Sequence, residues 1–417
     1  MKNLYKFTLL AFACSAVVAF SSCSEDDGVE STVEYFTPDG SVAAATVLED
    51  YAQDIVIDRY VALADASKTM YEAVSAITLD GSTQEAADMA AACDAWKAAR
   101  VAWERTEAYL FGPVDAYGID PGIDSWPLAL ADLAESIIEY SAGEYTDSDI
   151  QKDGGDLKGF HAIEFMLFND GSYKTKIDEW DATYGASYGF GDGSPTSEEL
   201  KTYLVAITKE LYRCTSLLVA EWDSTNSNLA KYSAVYSAGD EEDGAYYTTF
   251  TTAGESGNSD YPNQSIALST IIEAAAGIAD EVGSVKIADP IKSGNVLDVE
   301  SWFSHNSVTD FTNNIIGIKE AYYGKQYADS ANSSSSTSGS AASASISAYI
   351  ASGNSALDAD VKDAIDTAID AVAAMPAPFR DNLEWDAENT AAAEACAALL
   401  EALETAQGAI NDGYYTK

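Results

Sequence analysis

The sequence predicts an all-α fold made of two helical bundles that pack together, with long irregular loops between helices. Apolar residues recur at spacings of three and four along most of the chain, as on the buried face of a helix. No segment keeps the strict alternation of polar and apolar residues that a half-buried strand needs. The chain has 417 residues, 47% of them hydrophobic, which is enough material for more than one packed core.

Acidic residues far outnumber basic residues. The chain has 68 Asp and Glu against 22 Lys and Arg, and its formal charge is −46. Nucleic-acid binders need Lys and Arg against the phosphate backbone, and anionic membrane surfaces attract basic segments. The composition therefore excludes a nucleic-acid partner and argues against adsorption to a membrane surface.

The N-terminal segment is typical of an export signal. Lys2 and Lys6 precede an apolar run over residues 7–20 that is too short for a stable membrane span. Two serines then precede Cys23, and this order resembles a bacterial lipoprotein signal. Residues 1–22 are therefore predicted to be removed and Cys23 to carry a lipid. The alternative is an ordinary secretory signal with an incidental cysteine.

Lipidation would make residues 23–40 a tether and the lipid on Cys23 the only contact with the membrane. The tether begins with a serine and three acidic residues, Ser24–Asp27, which resembles the surface-export signal of some outer-membrane lipoproteins. The expected location is the cell envelope, on the outer membrane, facing either the surface or the periplasm.

The first bundle is predicted over residues 41–190. Its helices are predicted from apolar periodicity and from stop signals such as Gly112-Pro113. A stretch rich in Gly, Tyr and Asp predicts a long loop. The predicted helices cover about 41–78, 84–111 and 128–141, with another beginning near 157, and the long loop covers 169–194.

The second bundle is predicted over residues 191–417. Gly283 is predicted to end one helix, and Ser307 and Asp310 have the spacing of a capping box that begins the next. Residues 330–345 are Ser-rich and are predicted to form a linker or loop. The predicted helices cover about 197–222, 268–282, 308–322, 357–375 and 386–410.

The chain has only two histidines, and one of them has a carboxylate three residues away. His161 and Glu164 project from the same side of a helix, on the apolar stripe that includes Leu157 and Phe168. A carboxylate facing a core is costly unless it is paired, hydrogen-bonded or metal-bound. The pair therefore predicts either metal ligands or a hydrogen bond that braces helices.

Glu107 also lies on an apolar stripe, the one that carries Trp96 and Trp103. It is therefore expected to point inward, towards a partner. That partner is either a metal shared with the histidine site or a cation, from Arg100, Arg105 or another helix.

Together, His161, Glu164 and Glu107 offer one nitrogen and several oxygens. Such a set suits a borderline divalent metal such as Zn(II), Fe(II) or Cu(II). The H-E-x-x-H pattern of helical zinc peptidases is absent, and a two-histidine site would need His305 to reach His161. No catalytic residue is assigned. His305 precedes a predicted helix, where it is either part of a binding wall or simply exposed.

Three blocks of sequence resemble the imelysin family. Residues 159–168, GFHAIEFMLF, match its G-x-H-x-x-E signature, and residues 103–115 and 286–323 agree in the same order. The resemblance implies an all-helical, two-bundle exported protein with a site between the bundles. It also implies a link to bacterial iron acquisition and a past classification among metallopeptidases.

The resemblance places the expected ligands at His161 and Glu164. It makes Glu107 a further contributor to the site. It also adds binding residues around the start of the predicted helix 308–322 and in the block 103–115. These additional residues are His305, Asp310, Ser301 and Asp115.

Three functions fit the sequence. The first is an envelope lipoprotein that binds a divalent metal, iron or zinc, or an iron complex, and serves iron acquisition without catalysis, with an envelope uptake partner. The second is a metallopeptidase acting on envelope or extracellular proteins. The third is a partner-docking lipoprotein in which the His161 motif only braces the bundles.

Overall fold

The computed structural model of the chain describes residues 33–180, 185–191, 193–237 and 239–416. The predicted signal segment and Cys23 lie outside the described residues. Helices make up 64% of the structure and strands very little, which confirms the predicted all-α class. Within the described ranges, no helix combines the length and the apolar character needed to cross a membrane.

The α-helices follow one another with short connections and a few long loops. In chain order they are α1 (Ala44–Asp50), α2 (Asp58–Ala76), α3 (Thr83–Glu104), α4 (Pro113–Ala116), α5 (Ile119–Ile123), α6 (Leu130–Ala142), α7 (Asp147–Lys152), α8 (Gly159–Leu167), α9 (Ser197–Trp222), α10 (Tyr246–Thr251), α11 (Gln264–Asp280), α12 (Ala288–Ser293), α13 (Ser307–Tyr323), α14 (Ile346–Gly353), α15 (Ser355–Ala373) and α16 (Ala387–Asp412). Short 3₁₀ turns lie at Glu107–Tyr109, Ala186–Tyr188, Leu229–Tyr232, Val296–Asp298 and Phe379–Asp381.

Two groups of helices share one apolar core. In the first group, α2 packs along α3 and α9, while α6 and α8 also contact α9. In the second group, α16 packs against α11 and α15, and α13 contacts both of these. The groups meet where α3 contacts α13 and where the turn Glu107–Tyr109 contacts α11 and α13. The C-terminal end of α3 therefore lies at the seam between the groups.

The predicted boundary between the two bundles, at residues 190 and 191, stays a prediction. By packing, α9 belongs with the first group, although it follows that boundary in sequence. The long loop before α9 separates it from the earlier helices along the chain but not in space.

Gly283 does not end a helix, contrary to our prediction. The helix runs on through a π-helical segment, Glu281–Ile287, into α12. A side chain at Gly283 would collide with Cys396 of α16, so the glycine permits close helix packing. The first π-helical segment in chain order, Tyr51–Ile57, joins α1 to α2, so Glu281–Ile287 is the second.

Two short strand pairs were not predicted. β1 (Val33–Tyr35) pairs antiparallel with β4 (Tyr414–Thr416), with Glu34 opposite Tyr415. β2 (Phe168–Asn169) pairs antiparallel with β3 (Ser172–Tyr173) directly after α8. Strands of two or three residues are too short to produce a readable alternation in the sequence.

The Ser-rich stretch 330–345 packs against α13 instead of acting as a free linker. Thr337 is fully buried, and its hydroxyl oxygen lies 3.0 Å from the ammonium of Lys319 on α13. Ser345 caps α14 by accepting a hydrogen bond from the Ala348 amide. Small hydroxyl side chains therefore serve here as packing and capping groups.

Candidate metal centre

A cluster of buried charged side chains fills the seam between the two groups of helices. Every member is at most 5% exposed, and the cluster draws on α3 and the turn after it, the residue after α5, α8, the second π-helical segment, the loop before α13, and α13 itself. The members are Arg100, Glu104, Glu107, Asp124, His161, Glu164, Lys286, Glu300 and Asp310.

Helix α8 brings the histidine into this cluster, and all nine of its residues are buried. It begins at Gly159, whose φ of +76° lies in the left-handed region that favours glycine. A side chain at this position would collide with the backbone of Ile123. The glycine therefore allows the start of α8 to lie directly against the end of α5, one residue before Asp124.

The two ring nitrogens of His161 face different partners. Nδ1 lies 2.9 Å from an oxygen of Glu164, which confirms that these side chains share one side of the helix. Nε2 lies 3.2 Å from Asp124 Oδ1 and 4.0 Å from Glu300 Oε1, yet it makes no well-aligned hydrogen bond. The Nε2 side of the ring therefore faces two carboxylates.

Glu164 uses both of its oxygens within the protein. One oxygen contacts His161, and the other accepts hydrogen bonds from the Ser304 amide at 2.8 Å and from the Ser304 hydroxyl at 2.7 Å. Because its oxygens contact Ser304 and the Nδ1 atom of His161, Glu164 orients the imidazole from the side opposite Asp124 and Glu300.

Arg100 lies among four carboxylates. Its guanidinium contacts Asp124 and Glu300 directly, lies 2.5 Å from Glu104, and reaches Asp310 through Nε at 3.2 Å. These contacts connect α3 to α13 and to the loops after α5 and before α13. Arg100 therefore links the two groups of helices electrostatically.

Lys286 is the second internal cation. Its ammonium is fully buried and lies 3.1 Å from Glu300, 3.2 Å from Glu107 and 3.8 Å from Glu104. It reaches the cluster from the second π-helical segment, between residues 281 and 287. Glu107 thus has a cation from another helix, one of the alternatives that its inward position predicted.

The cluster perturbs the protonation of its members. Burial lowers the pKa of His161, but contact with Asp124 and Glu164 outweighs this effect and raises the pKa to about 9. Burial raises the pKa of Glu300 to about 7, although Lys286 and Arg100 act in the opposite direction. A metal cation bound by His161 and Glu300 would therefore compete with protons for the same atoms.

Two overlapping sets of side chains could hold a metal ion. In each set, one ligand atom from each residue lies within 4.8 Å of the others. The sets are Asp124, His161 and Glu300, and Glu104, Glu107 and Asp124. In the first set, His161 Nε2 and Glu300 Oε2 are buried polar atoms without a hydrogen-bond partner. An imidazole nitrogen with carboxylate oxygens is a donor set that suits a borderline divalent metal.

An acidic cleft of about 680 Å³ opens beside the cluster. Trp126 lies between the two, with its ring centroid 5.8 Å from that of His161 and 5.4 Å from the Lys286 ammonium. A cation entering from solvent would meet only carboxylates among the charged groups of this wall. The acidic lining residues are Glu107, Asp120, Asp124, Asp280, Glu281, Asp289 and Asp298.

The other predicted binding residues are divided between the cluster and its surroundings. Asp310 belongs to the cluster, through Arg100. Ser301 is buried in the loop between Glu300 and Ser304. His305 lies outside the cluster, with Nε2 3.2 Å from Asp170, and Asp115 is exposed.

The predicted capping box before α13 does not form. The first cap position is Asn306, and its side chain makes no capping hydrogen bond. The side-chain amide of Asn306 instead donates to the Asp310 carboxylate, and the Ser307 hydroxyl donates to the Glu300 carbonyl. The carboxylate of Asp310 therefore pairs with Arg100 and with the Asn306 side chain instead of capping the helix.

Five members of the cluster were not predicted as site residues: Arg100, Glu104, Asp124, Lys286 and Glu300. Arg100 and Glu104 share the inward face of α3. Their spacing of three or four residues from Trp96 and Glu107 predicts this inward direction. Asp124 and Glu300 lie in irregular segments, where periodicity predicts nothing about direction.

The fold and the cluster together define an all-helical protein with a buried histidine and carboxylate centre between two groups of helices. The chain belongs to the imelysin family, whose sequence model matches residues 50–406. This match confirms the resemblance inferred from the three sequence blocks.

The relatives agree with this assignment. The chain is 25% identical over 320 residues to iron-regulated protein A of Synechococcus elongatus, covering 76% of this chain and 72% of the relative. A crystal structure described as an iron-regulated protein A precursor from Parabacteroides distasonis aligns with a TM-score of 0.69 and 29% identity, over 89% of this chain and 97% of that one. An imelysin-like protein from Psychrobacter arcticum shares the fold, with a TM-score of 0.53 and 13% identity over 87% and 95% of the two chains.

Proposed function

We propose that this protein binds one divalent metal ion through His161, Asp124 and Glu300, and that it serves iron acquisition at the cell envelope. The observation that carries the proposal is the buried Nε2 atom of His161, which faces two carboxylates and makes no well-aligned hydrogen bond, although Asp124 Oδ1 lies 3.2 Å away. Histidine ligands in proteins commonly donate their other ring nitrogen to a carboxylate, as His161 does to Glu164.

Charge supports the same site. The cluster holds six carboxylates but only two permanent cations, Arg100 and Lys286, together with His161, whose pKa is raised to about 9. An excess of buried negative charge is unfavourable unless further positive charge compensates it. A divalent ion supplies that charge, and the acidic cleft beside Trp126 provides an entry route from solvent.

Iron is the metal that we propose on the basis of the relatives. The Synechococcus and Parabacteroides proteins are both described as iron-regulated protein A. A nitrogen and oxygen donor set suits Fe(II), although it also suits Zn(II). An iron complex held by the acidic cleft is compatible with the same site.

Export and lipidation belong to this proposal. Residues 1–22 have the order of a lipoprotein signal, and Cys23 would carry the lipid. Residues 23–40 would then tether the folded part to the outer membrane, where an envelope uptake partner could receive the metal.

Calorimetric titration of Fe(II), without oxygen, and of Zn(II) tests the proposal. His161→Ala is expected to weaken binding by more than about 100-fold, because losing a ligand costs more than the 10–100-fold typical of an outer partner. His305→Ala is the matched control, since His305 contacts Asp170 outside the cluster, and it should bind like the wild type. Equal binding by the wild type and His161→Ala would refute the site.

A structural brace is the second candidate, and the contacts of Arg100 favour it. Arg100 pairs with carboxylates from both groups of helices, so the cluster could act only to hold them together. In that case, His161→Ala would lower the melting temperature while metal binding, if any, stayed unchanged.

A metallopeptidase is the remaining alternative, and the open cleft beside the cluster could admit a peptide. Among the described residues, His305 belongs to neither candidate ligand set, so no two-histidine zinc site is formed. Chelator-sensitive cleavage of a protein substrate that is lost in His161→Ala would favour this alternative over simple metal binding.

A further inference from the structure

The ammonium of Lys286 lies where a second metal ion would otherwise bind. It is fully buried, 3.2 Å from Glu107 and 3.8 Å from Glu104, two of the three residues in the second candidate ligand set. It also lies 3.1 Å from Glu300 of the first set. These carboxylates converge on a nitrogen that is part of the chain itself.

The two candidate ligand sets share Asp124. A carboxylate shared between two neighbouring sets of ligands is the arrangement of carboxylate-rich two-metal sites, in which the ions lie about 3.5–4 Å apart. The seam therefore has the ligands of a two-metal centre but carries an ammonium at one of the two positions.

The π-helical segment Glu281–Ile287 places this ammonium. Within it, Val285 is 44% exposed, whereas Lys286 and Ile287 are buried. A π-helical insertion changes the direction of the side chains that follow it, and such insertions occur frequently at functional sites. Lys286 therefore points from this segment into the cluster instead of into solvent.

We infer that Lys286 occupies the second cation position and limits the centre to one metal ion, an inference that rests on the proposed function. The ammonium excludes a second ion by its volume and by its charge. Removing it takes the ammonium away from Glu104 and Glu107, which with Asp124 form the second candidate ligand set, while Arg100 stays on Glu104 and Asp124.

The number of bound Zn(II) ions per chain, measured by calorimetry and by elemental analysis after gel filtration, tests the inference. Lys286→Ala is expected to bind one more ion than the wild type, whereas Lys286→Arg, which keeps the positive charge, should bind the same number. Lys292→Ala is the matched control, because Lys292 on α12 is exposed and pairs only with Asp289 among the described residues.

A folded Lys286→Ala protein that binds no additional ion overturns the inference. If this variant does not fold, Lys286→Gln, which keeps hydrogen-bond donors without charge, enters the same comparison and must also gain one ion. A wild type that binds no Zn(II) contradicts the proposed function. The inference is tested instead by the difference in the number of bound ions between Lys286→Ala and the wild type, so the two failures can be distinguished.

Discussion

His161 presents its two ring nitrogens to chemically different surroundings. Nδ1 contacts Glu164, which Ser304 holds by two hydrogen bonds, whereas Nε2 faces Asp124 and Glu300. A fixed partner on one nitrogen sets the orientation of the ring and leaves the other nitrogen available to a metal. In the proposed site, Glu164 therefore positions His161.

Glu164→Gln tests this positioning role. The amide keeps the size of the side chain but loses the negative charge that orients the imidazole, so we expect metal affinity to fall by about 10–100-fold. Calorimetry with Zn(II) measures the change. Asp124→Asn, which alters a proposed ligand, should cost more. A larger loss in Glu164→Gln than in Asp124→Asn would make Glu164 a direct ligand.

The site was only partly predictable at this scale. Helical spacing correctly paired His161 with Glu164 and correctly turned Glu107 inward. It did not reveal the partner of Glu107, because Lys286 is 179 residues away in sequence. Asp124 and Glu300 were missed because they lie in loops, where the direction of a side chain depends on tertiary contacts.

At the scale of single elements, the start of α8 controls the spacing between His161 and Asp124. Gly159 adopts a left-handed conformation against the backbone of Ile123, just before Asp124. The sequence marked this glycine as the first residue of the family signature. Its physical reason, a close approach of two chain segments, required the structure.

Gly159→Ala is therefore expected to destabilise the protein by about 2–4 kcal/mol, from backbone strain and from the collision with Ile123. It should also weaken metal binding, because relieving the collision moves α8 away from Asp124. Chemical denaturation measures the first effect. Gly408→Ala is the control, since a side chain there meets nothing within 4 Å on α16 and should not destabilise. Equal stability of Gly159→Ala and the wild type would contradict this account.

Local sequence rules failed at two elements that build the site. Gly283 was predicted to end a helix, yet the chain continues as a π-helical segment that carries Lys286 inward. Ser307 and Asp310 were predicted to cap α13, yet Asp310 pairs with Arg100. In both cases a long-range contact, which no local pattern contains, overrides the local preference.

At the scale of the whole molecule, buried charges connect the two groups of helices. The two-bundle architecture follows from apolar periodicity and from loop composition, which is why the fold class could be predicted. The packing of α9 in the first group could not be predicted, because a long loop separates α9 from the preceding helices on which it packs.

The stability of the metal-free protein should depend on pH through His161. Its pKa is about 9 in the folded protein, against 6.5 ordinarily, so protonation stabilises the fold fully below about pH 6.5. This stabilisation, on the order of 3 kcal/mol, is lost as the pH rises through 9. Denaturation at pH 6.5 and 9.5 measures the loss, and His161→Ala should lose less. The same loss in His161→Ala would assign the effect to other groups.

Anomalous diffraction from crystals soaked in Zn(II) or Fe(II) tests the central claim most directly, because it locates the ion. We predict one peak per chain in the seam, about 2.0–2.2 Å from His161 Nε2 and from oxygens of Asp124 and Glu300, with Glu164 still on Nδ1. A well-ordered seam without a peak, or a peak only on the acidic surface, would contradict the account and leave the cluster as a structural brace.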